Sequence, residues 1–324
     1  MNRRSALSGI ALAGTAGLVA RNLWRHHLPK RAPSRSNVAI LKCLRYDACA
    51  AIVDDGLRLV GMNVRGKRVV VKPNLVEYSP SAPINTNPIL VAAAVDSLYR
   101  AGAASVVVAE GPGHVRDSEM LISESGLQDQ LRAVEHSEFV DLNFDSAHRV
   151  VPKSGLTGFN ELWLPETILN ADILISMPKI KTHHWAGVTL SLKNLFGIVP
   201  GAVYGWPKNI LHWQGINNSI VDLAATVPIH YVIADGVEAM EGNGPLHGIP
   251  RMLGCIVFAN DPVAADATCC RLMGIEPELV PHLSMAAPLG NLEVSSIDQI
   301  GERIEALRQQ FALLPAFSHL RRSV

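Results

Sequence analysis

The sequence predicts an α/β protein whose mostly parallel sheet, in one body or two lobes, is built from βαβ units with helices on both faces. Strand-like and helix-like segments alternate along the chain, which is the pattern of βαβ units. Several strand-like segments, such as Arg68–Lys72 (RVVVK), are continuous β-branched runs typical of strands buried on both faces. The chain has 324 residues, 48% of them hydrophobic, which is enough for a sizeable core.

Each predicted element follows from local periodicity and from its bounding residues. The predicted strands are Asn37–Lys42, Arg68–Lys72, Ser105–Glu110, Phe139–Asn143, Ile173–Met177, Tyr231–Asp235 and Cys255–Ala259. The predicted helices are Cys49–Val60, Pro88–Ala101 (closed by Gly102), Gly215–Ala225, Pro262–Met273 and Ile297–Gln309. The folded part is therefore expected over residues 37–324, with candidate lobes at 37–150 and 151–290 and a C-terminal helix at 297–309.

Residues 1–36 are expected to be a leader and linker. Arg3 and Arg4 precede a mild apolar run from Ala6 to Ala20, a pattern that resembles a twin-arginine translocation signal. Basic residues follow the run, so both a cleaved signal and a retained anchor stay open, and a cytoplasmic amphipathic start is the alternative. The signal implies the twin-arginine export machinery as a partner and an exported protein, periplasmic or anchored to the outer face of the cytoplasmic membrane.

Composition excludes some classes of function. Lys+Arg and Asp+Glu both total 29, so the chain lacks the basic excess typical of nucleic-acid binding, and no nucleic acid is expected as a partner. The five cysteines form no C-x-x-C pair, and no iron–sulfur cluster is expected. Buried inert thiols are the favoured interpretation, with a Cys43–Cys49 disulfide as the alternative in an oxidising compartment.

Ligands of parallel sheets bind beyond the carboxyl ends of the strands, so the loops there are the first place to look for a site. After the second predicted strand, Lys72 and Asn74 could face a ligand, and Thr86 could face a ligand or cap the next helix. The loop at 110–116 (EGPGHVR) could offer backbone N–H groups to an anion, with His114 and Arg116 adding a titratable ring and a cation.

The segment from Met177 to Gly201 is the most specific of these loops. It holds Lys179, Lys181, His183, His184 and Lys193 directly after a strand. Because crowded cations destabilise a fold unless an anion is near, the cluster predicts an anionic ligand such as a phosphate or carboxylate. A solvated basic loop is the alternative.

Carboxylates follow the later strands. Asp235, Glu238 and Glu241 lie after YVIAD and could bind a hard cation or balance the lysines. Asp261 could cap the helix that begins at Pro262, and Asp266 lies one turn along the same helix.

These loops together carry a family resemblance. The strings VVVKPNLV, AEGPGH, ADILISMPKIKTH, LSLKNLFGIVPG, ADGVEAMEGNGP and NDPVAADATCCRLMG, from about Val38 to Gly274, look like the domain of unknown function 362 family. Many members carry iron–sulfur motifs in an added ferredoxin-like segment, which this chain lacks. The family has no single reaction that the resemblance would imply.

A weaker similarity, to the nickel-dependent lactate racemases, lies in the order of Thr86…Pro88, Gly113-His114…Arg116 and His183…Lys193…Pro200-Gly201. It implies Lys193 as the anchor of a nickel-pincer nucleotide, His114 and His183 as acid/base groups and His212 as a metal ligand. The chain departs from the racemase pattern at Lys72-Pro73-Asn74 and at Ser191-Leu192.

The leading hypothesis is an exported enzyme that uses a divalent metal or a phosphate-bearing cofactor and acts on a small anionic substrate. His183 or His184 would be base or ligand, Lys193 the anchor, and Lys179 and Lys181 would hold the anionic group. A non-catalytic envelope protein that binds a small anion, and an inactive relative, are the alternatives.

Overall fold

A computed structural model describes residues 28–30, 32–113 and 117–321. Its strands are β1 (Ser36–Lys42), β2 (Arg68–Pro73), β3 (Ser105–Glu110), β4 (Glu138–Asp141), β5 (Ala147–Val150), β6 (Leu162–Pro165), β7 (Ile173–Met177), β8 (Lys179–His183), β9 (Gly187–Thr189), β10 (Tyr231–Asn243), β11 (His247–Ala259) and β12 (Ile297–Gly301). Its α-helices are α1 (Cys49–Leu59), α2 (Pro88–Arg100), α3 (Ser118–Glu124), α4 (Leu127–Arg132), α5 (Glu166–Leu169), α6 (Ser191–Asn194), α7 (Gly201–Tyr204), α8 (Asn209–Trp213), α9 (Ile216–Thr226), α10 (Pro262–Leu272), α11 (Pro281–Ala286) and α12 (Ile304–Leu307).

One large sheet organises the protein, in the order β12-β1-β11-β10-β7-β2-β3-β4. Neighbours along this path are parallel except on both sides of β11, which is antiparallel to β1 and to β10. The short ribbon of β8 and β9 branches from β10, and β5 pairs with β6 in a separate sheet. The predicted α/β class with a mostly parallel sheet is confirmed.

Apolar side chains cover both faces of this sheet. Val69 and Val71 of β2 pack with α1 and α2 residues such as Val53 and Leu90 on one face. Val70, between them, belongs to the core on the other face, which includes residues of α9 and α10. Successive side chains of a strand point to opposite faces, and both faces of this sheet are covered. This explains why Val69, Val70 and Val71 are all apolar.

Two predictions about the later strands are wrong. The segment 235–241, expected as a loop, continues β10, which forms a long antiparallel hairpin with β11. The helix expected at Ile297–Gln309 is instead β12, parallel to β1, followed by the four-residue helix α12. In both cases β-pairing with a distant segment overrides the local pattern. The ranges offered as lobes contribute strands to the same sheet.

Helix caps decide two of the alternatives left open by the sequence. The Asn87 side chain accepts from Ile89 N and caps α2, whereas the Thr86 hydroxyl donates to Met177 O and so joins two loops. Asp261 caps α10 as predicted, through Val263 N and Ala264 N. All five cysteines, Cys43 and Cys49 included, are free and buried.

The leader with Arg3 and Arg4 lies outside the described residues. Within residues 28–30, 32–113 and 117–321, none of the helices has both the length and the apolar character needed to cross a bilayer.

Candidate functional site

A cleft of about 370 Å³ lies beyond the carboxyl ends of β2 and β3. The β8–β9 ribbon, α6 and the segment around α8 close its other sides. Its polar and titratable lining residues are Lys72, Asn74, Glu110, Lys181, His183, His184, Thr189, Lys193, Asn194, Lys208, Asn209, His212 and His247. The position agrees with the general rule that ligands of parallel sheets bind at the carboxyl edge.

A larger depression of about 1230 Å³ lies over α3, α4 and β4. Its charged lining residues are Asp117, Glu119, Asp141 and Arg132, and Arg132 pairs with Asp129. This lining carries more negative than positive charge, so the smaller, lysine-rich cleft is the better candidate for an anion.

Lys72 and Glu110 form a buried ion pair at the base of the cleft, with Nζ 2.5 Å from Glu110 Oε2. Lys72 Nζ also donates to Asn194 Oδ1 and Pro73 O, both at 3.0 Å, so its three N–H groups are all used. A Cβ at Gly197 would overlap the Glu110 carboxylate, which explains why a glycine lies there. Lys72 therefore lies in the predicted site but supports its structure.

Three further lysines face the cleft without a carboxylate partner among the described residues. Lys181 Nζ donates to Ile84 O at 2.6 Å, and Lys208 Nζ donates to Gly111 O at 2.6 Å. Lys193 Nζ lies 3.8 Å from the centroid of the Phe196 ring. The cleft thus collects three lysine side chains that form no ion pair with a carboxylate of the described chain.

Burial governs the protonation of these lysines. It lowers the pKa of Lys181 well below the ordinary value, with Lys179 and Lys193 adding to the effect. Burial, then Lys72 and Lys208, lowers the pKa of Lys193 to about 7. Burial also lowers the pKa of Lys208 to about 7, although Glu110 acts in the opposite direction. The cost of removing each charge from water exceeds the attraction of the nearby carboxylates.

Hydrogen bonds fix opposite tautomers on two adjacent histidines. His183 Nδ1 accepts from Trp185 N (3.0 Å) and Ala186 N (3.2 Å), so its proton resides on Nε2. His184 Nδ1 lies 2.9 Å from the carbonyl of Gly244, which only accepts, so Nδ1 carries the proton there. Burial, and then Lys193, lowers the pKa of His183 well below its ordinary value and keeps the ring neutral.

The two rings are stacked, with centroids 5.0 Å apart. One neutral histidine therefore has a donor at Nε2 and the other, when neutral, has a lone pair at Nε2. Through Nε2, His183 can donate a hydrogen bond to one atom of a ligand, while His184 can take a proton from another.

Aromatic rings continue from this pair along the cleft. The His184 ring contacts Trp185, whose ring lies 5.0 Å from His212, and His212 contacts Phe196 at 5.5 Å. Burial, and then Lys193, lowers the pKa of His212 to about 4, so this ring is neutral near pH 7. Trp185 is 55% exposed, which places it at the mouth.

Several buried polar atoms of the cleft lack a hydrogen-bond partner within the described chain, and two of them belong to almost fully buried residues. These two are Asn74 Oδ1 and Thr189 Oγ1, on residues that are 6% and 4% exposed. Buried polar groups in native proteins are nearly always hydrogen-bonded, so these atoms indicate a polar occupant of the cleft.

Asp266 positions the helix that carries Lys193. Its carboxylate accepts from Ser191 N (2.7 Å) and Leu192 N (3.0 Å) at the start of α6. Burial raises the pKa of Asp266 to about 7 despite these bonds. Asp266 on α10 therefore has a structural role, because it holds the start of α6.

The structure separates several predicted site residues from the cleft. Lys179 Nζ pairs with Asp235 at 2.7 Å and bonds Tyr46 and the Glu238 carbonyl, so this lysine is not free to hold a ligand. Glu241 lies near Arg251 and accepts from the backbone N–H of Ala312. The alternation of β8 puts Lys179, Lys181 and His183 on one face, but Asp235 holds the first of them away from the cleft.

The donor set does not fit a metal ion held by the described residues. The structure groups no three His, Cys, Asp or Glu side chains there that could hold one. Asp235 and Glu241 have cationic partners, and His183 Nε2 carries a proton. His114 and Arg116 lie outside the described residues.

The polar cleft residues that were not predicted are Glu110, Thr189, Asn194, Lys208, Asn209 and His247. Glu110 ends β3 and could have been found by the rule that predicted Lys72. Lys208 comes from an irregular segment far from any strand end, and its left-handed backbone (φ 63°) gives no signal in the sequence.

Comparison with known proteins gives one family and one similar protein. The profile described as Domain of unknown function (DUF362) matches residues 69–271. A protein of Synechocystis sp. named as thylakoid-associated is 28% identical over 267 residues, which cover 78% of this chain and 79% of that protein.

Two solved structures are similar at low identity. The lactate racemase apoprotein of Thermoanaerobacterium thermosaccharolyticum has a TM-score of 0.49 at 14% identity, covering 76% of this chain and 58% of that chain. A Thermotoga maritima protein has a TM-score of 0.41 at 12% identity, covering 72% and 60%. This chain spans less than two thirds of either protein, and at these TM-scores the likeness carries no argument about activity.

Proposed function

We propose that this chain, which belongs to the family described as Domain of unknown function (DUF362), binds a small anionic molecule in the cleft and exchanges a proton with it. The observation that carries the proposal is the set of three lysines, Lys181, Lys193 and Lys208, that face one cleft without a carboxylate partner in the described chain. Glu110, the acid of the cleft lining, is already bound to Lys72.

An anion would relieve the electrostatic cost of this arrangement. Each ammonium has been removed from water and lies near other cations, so its charged form is disfavoured in the free protein. A carboxylate or phosphate between Lys181, Lys193 and Lys208 would accept charge-assisted hydrogen bonds from them. Thr189 Oγ1 could donate to the same anion, since it lacks a partner in the described chain.

The histidine pair favours catalysis over simple capture. Lysines alone suffice to hold an anion, but His183 and His184 also present a donor and an acceptor side by side. His184 could take a proton from one ligand atom and return it to another, while His183 donates a hydrogen bond to the negative charge that develops. The alternative, a non-catalytic binding protein, uses only the lysines.

Lys193→Ala is expected to lower the affinity for sulfate or oxalate by about 10-fold to 100-fold, because each charge-assisted hydrogen bond contributes about 1.5–3 kcal/mol. Isothermal titration calorimetry of the full chain measures this, and circular dichroism checks that the variant is folded. The matched control is Lys67→Ala, an exposed lysine before β2, at the opposite edge of the sheet. Equal affinities in Lys193→Ala and wild type would contradict the proposal.

We further propose that the chain is exported by the twin-arginine route and acts at a membrane surface. The Arg3-Arg4 pair before an apolar run supports the route. The thylakoid association in the name of the similar Synechocystis protein supports the location. A membrane-surface protein needs no spanning helix in its folded part.

Replacing Arg3 and Arg4 together by Lys is expected to abolish export of a reporter fused after residue 36, because twin-arginine signals need the arginine pair. Cell fractionation measures the reporter in each compartment. A fusion that keeps the arginines and carries Arg21→Lys and Arg25→Lys is the matched control. Undiminished export of the Arg3/Arg4 variant would rule out this route.

A further inference from the structure

We propose that Lys193 is an imine-forming lysine, whose side-chain nitrogen attacks the carbonyl carbon of an anionic aldehyde or ketone, such as a 2-oxo acid, held in the cleft. The inference deepens the proposed function and rests on it, because the cleft must first hold the anionic end of the substrate. It names a carbonyl group as the second feature of the ligand.

Lys193 differs in its contacts from the other lysines of the cleft. Lys72 has three oxygen acceptors, Lys181 donates to Ile84 O, and Lys208 donates to Gly111 O. Lys193 Nζ lies 3.8 Å from the centroid of the Phe196 ring, and within the described chain this nitrogen has no oxygen acceptor. Its lone pair, when present, is therefore free to react toward the cleft.

The surroundings of Lys193 favour the neutral amine that such an attack needs. A cation over an aromatic face is attracted to the ring, which favours the ammonium form. Burial and the nearby Lys72 and Lys208 exceed this effect, and they lower the pKa of Lys193 to about 7. Desolvation and a second cation are the two means by which proteins make a lysine nucleophilic near neutrality.

The other groups of the cleft complete the chemistry. Lys181 and Lys208 remain to hold the anionic end of the substrate. Among the charged groups that lower the pKa of His183, Lys193 has the largest effect. His183 carries a proton on Nε2, so it can donate a hydrogen bond to the carbonyl oxygen.

The step balances without any further reactant. The nitrogen of Lys193 forms a bond to the carbonyl carbon, and a proton moves from nitrogen to the carbonyl oxygen to give a carbinolamine. Loss of the hydroxyl with a second proton releases one water and leaves a carbon–nitrogen double bond. No electrons are gained or lost overall.

Trapping with glyoxylate and sodium cyanoborohydride near pH 7 tests the inference on the full chain. The reductant adds hydride to the imine and makes a stable secondary amine, which intact-mass and peptide mass spectrometry locate. We expect one adduct per chain, on Lys193. A lysine with a pKa near its ordinary value of about 10.4 has roughly a thousandfold less neutral amine at this pH.

Lys193→Arg cannot form an imine, so it should lose the adduct, and circular dichroism checks that this variant is folded. Lys67→Arg, on the far edge of the sheet, should be labelled like wild type. Adducts on Lys181, on Lys208 or spread over exposed lysines would overturn the inference, as would sulfate binding by wild type without any adduct. Absence of sulfate binding by wild type would instead contradict the proposed function. Failure of the imine inference and failure of the proposed function are therefore distinguishable.

Discussion

Lys72→Met is expected to lower the free energy of unfolding by about 3–5 kcal/mol, because it leaves the Glu110 carboxylate buried without its cation. Lys72 and Glu110 are 0% and 1% exposed at their side chains, so water cannot replace the lost partner. Glu110 would keep the N–H groups of Leu75 and Gly111, which compensate only part of the loss. Denaturant titration followed by circular dichroism measures the change.

Two further variants make this prediction specific. In Lys72→Met/Glu110→Gln the stranded charge is gone, so the double variant should be more stable than Lys72→Met alone. Lys193→Met should change stability in the opposite direction. The pKa of Lys193 is lower in the folded protein than in the unfolded chain. The unfolded chain therefore binds a proton first as the pH falls from about 10 towards 7, which lowers the free energy of unfolding. Lys193→Met removes the amine and with it this loss of stability. A Lys72→Met protein as stable as wild type would show that the pair is not a structural element.

Local periodicity was sufficient to predict most of the fold. The bounds of β3 and β7 agree with the predicted ones, and α1, α2 and α10 differ by a residue at one end. The errors occur where the partner of a segment is distant. Neither the extension of β10 past Asp235 nor the pairing of β12 with β1 has a signal within its own residues, because the stabilising hydrogen bonds go to other strands.

The same limit explains which site residues could be predicted. Lys181, His183 and Lys193 lie close together in sequence after one strand, so charge clustering predicted a shared anion site. Sequence does not show which cations already have a partner. Lys179 looks equivalent to Lys181 until Asp235 is found 2.7 Å away, and Lys72 looks free until Glu110 is found beside it.

Lowering the pH from about 8.5 to about 6 is expected to raise the affinity for sulfate or oxalate by about 30-fold for each lysine that must be charged. Lys193 and Lys208 both have a pKa of about 7 in the free protein, so each is mostly neutral at the upper limit. A bound anion stabilises the ammonium form and raises both pKa values, so binding takes up protons. These anions are chosen because their own charge is nearly constant over the range.

Burial shifts the pKa values of several groups near Lys193 out of this window. His212 has a pKa of about 4 and His282, buried in α11, a pKa of about 3, so both remain neutral. The pKa values of His183 and Lys181 lie well below their ordinary values. Asp266, with a pKa of about 7, does titrate, and its negative charge at higher pH would favour a charged Lys193 and oppose the trend.

Asp266→Asn therefore provides the control. Its amide oxygen can still accept from the start of α6, while the competing titration is removed, so the pH dependence should persist and become steeper. Calorimetry in two buffers of different ionisation enthalpy gives the proton count directly. At pH 7 at least about one proton per bound anion is expected, because Lys193 and Lys208 are each half protonated in the free protein. An affinity that is constant with pH, or that increases above pH 7, would mean that Lys193 and Lys208 do not hold the anion.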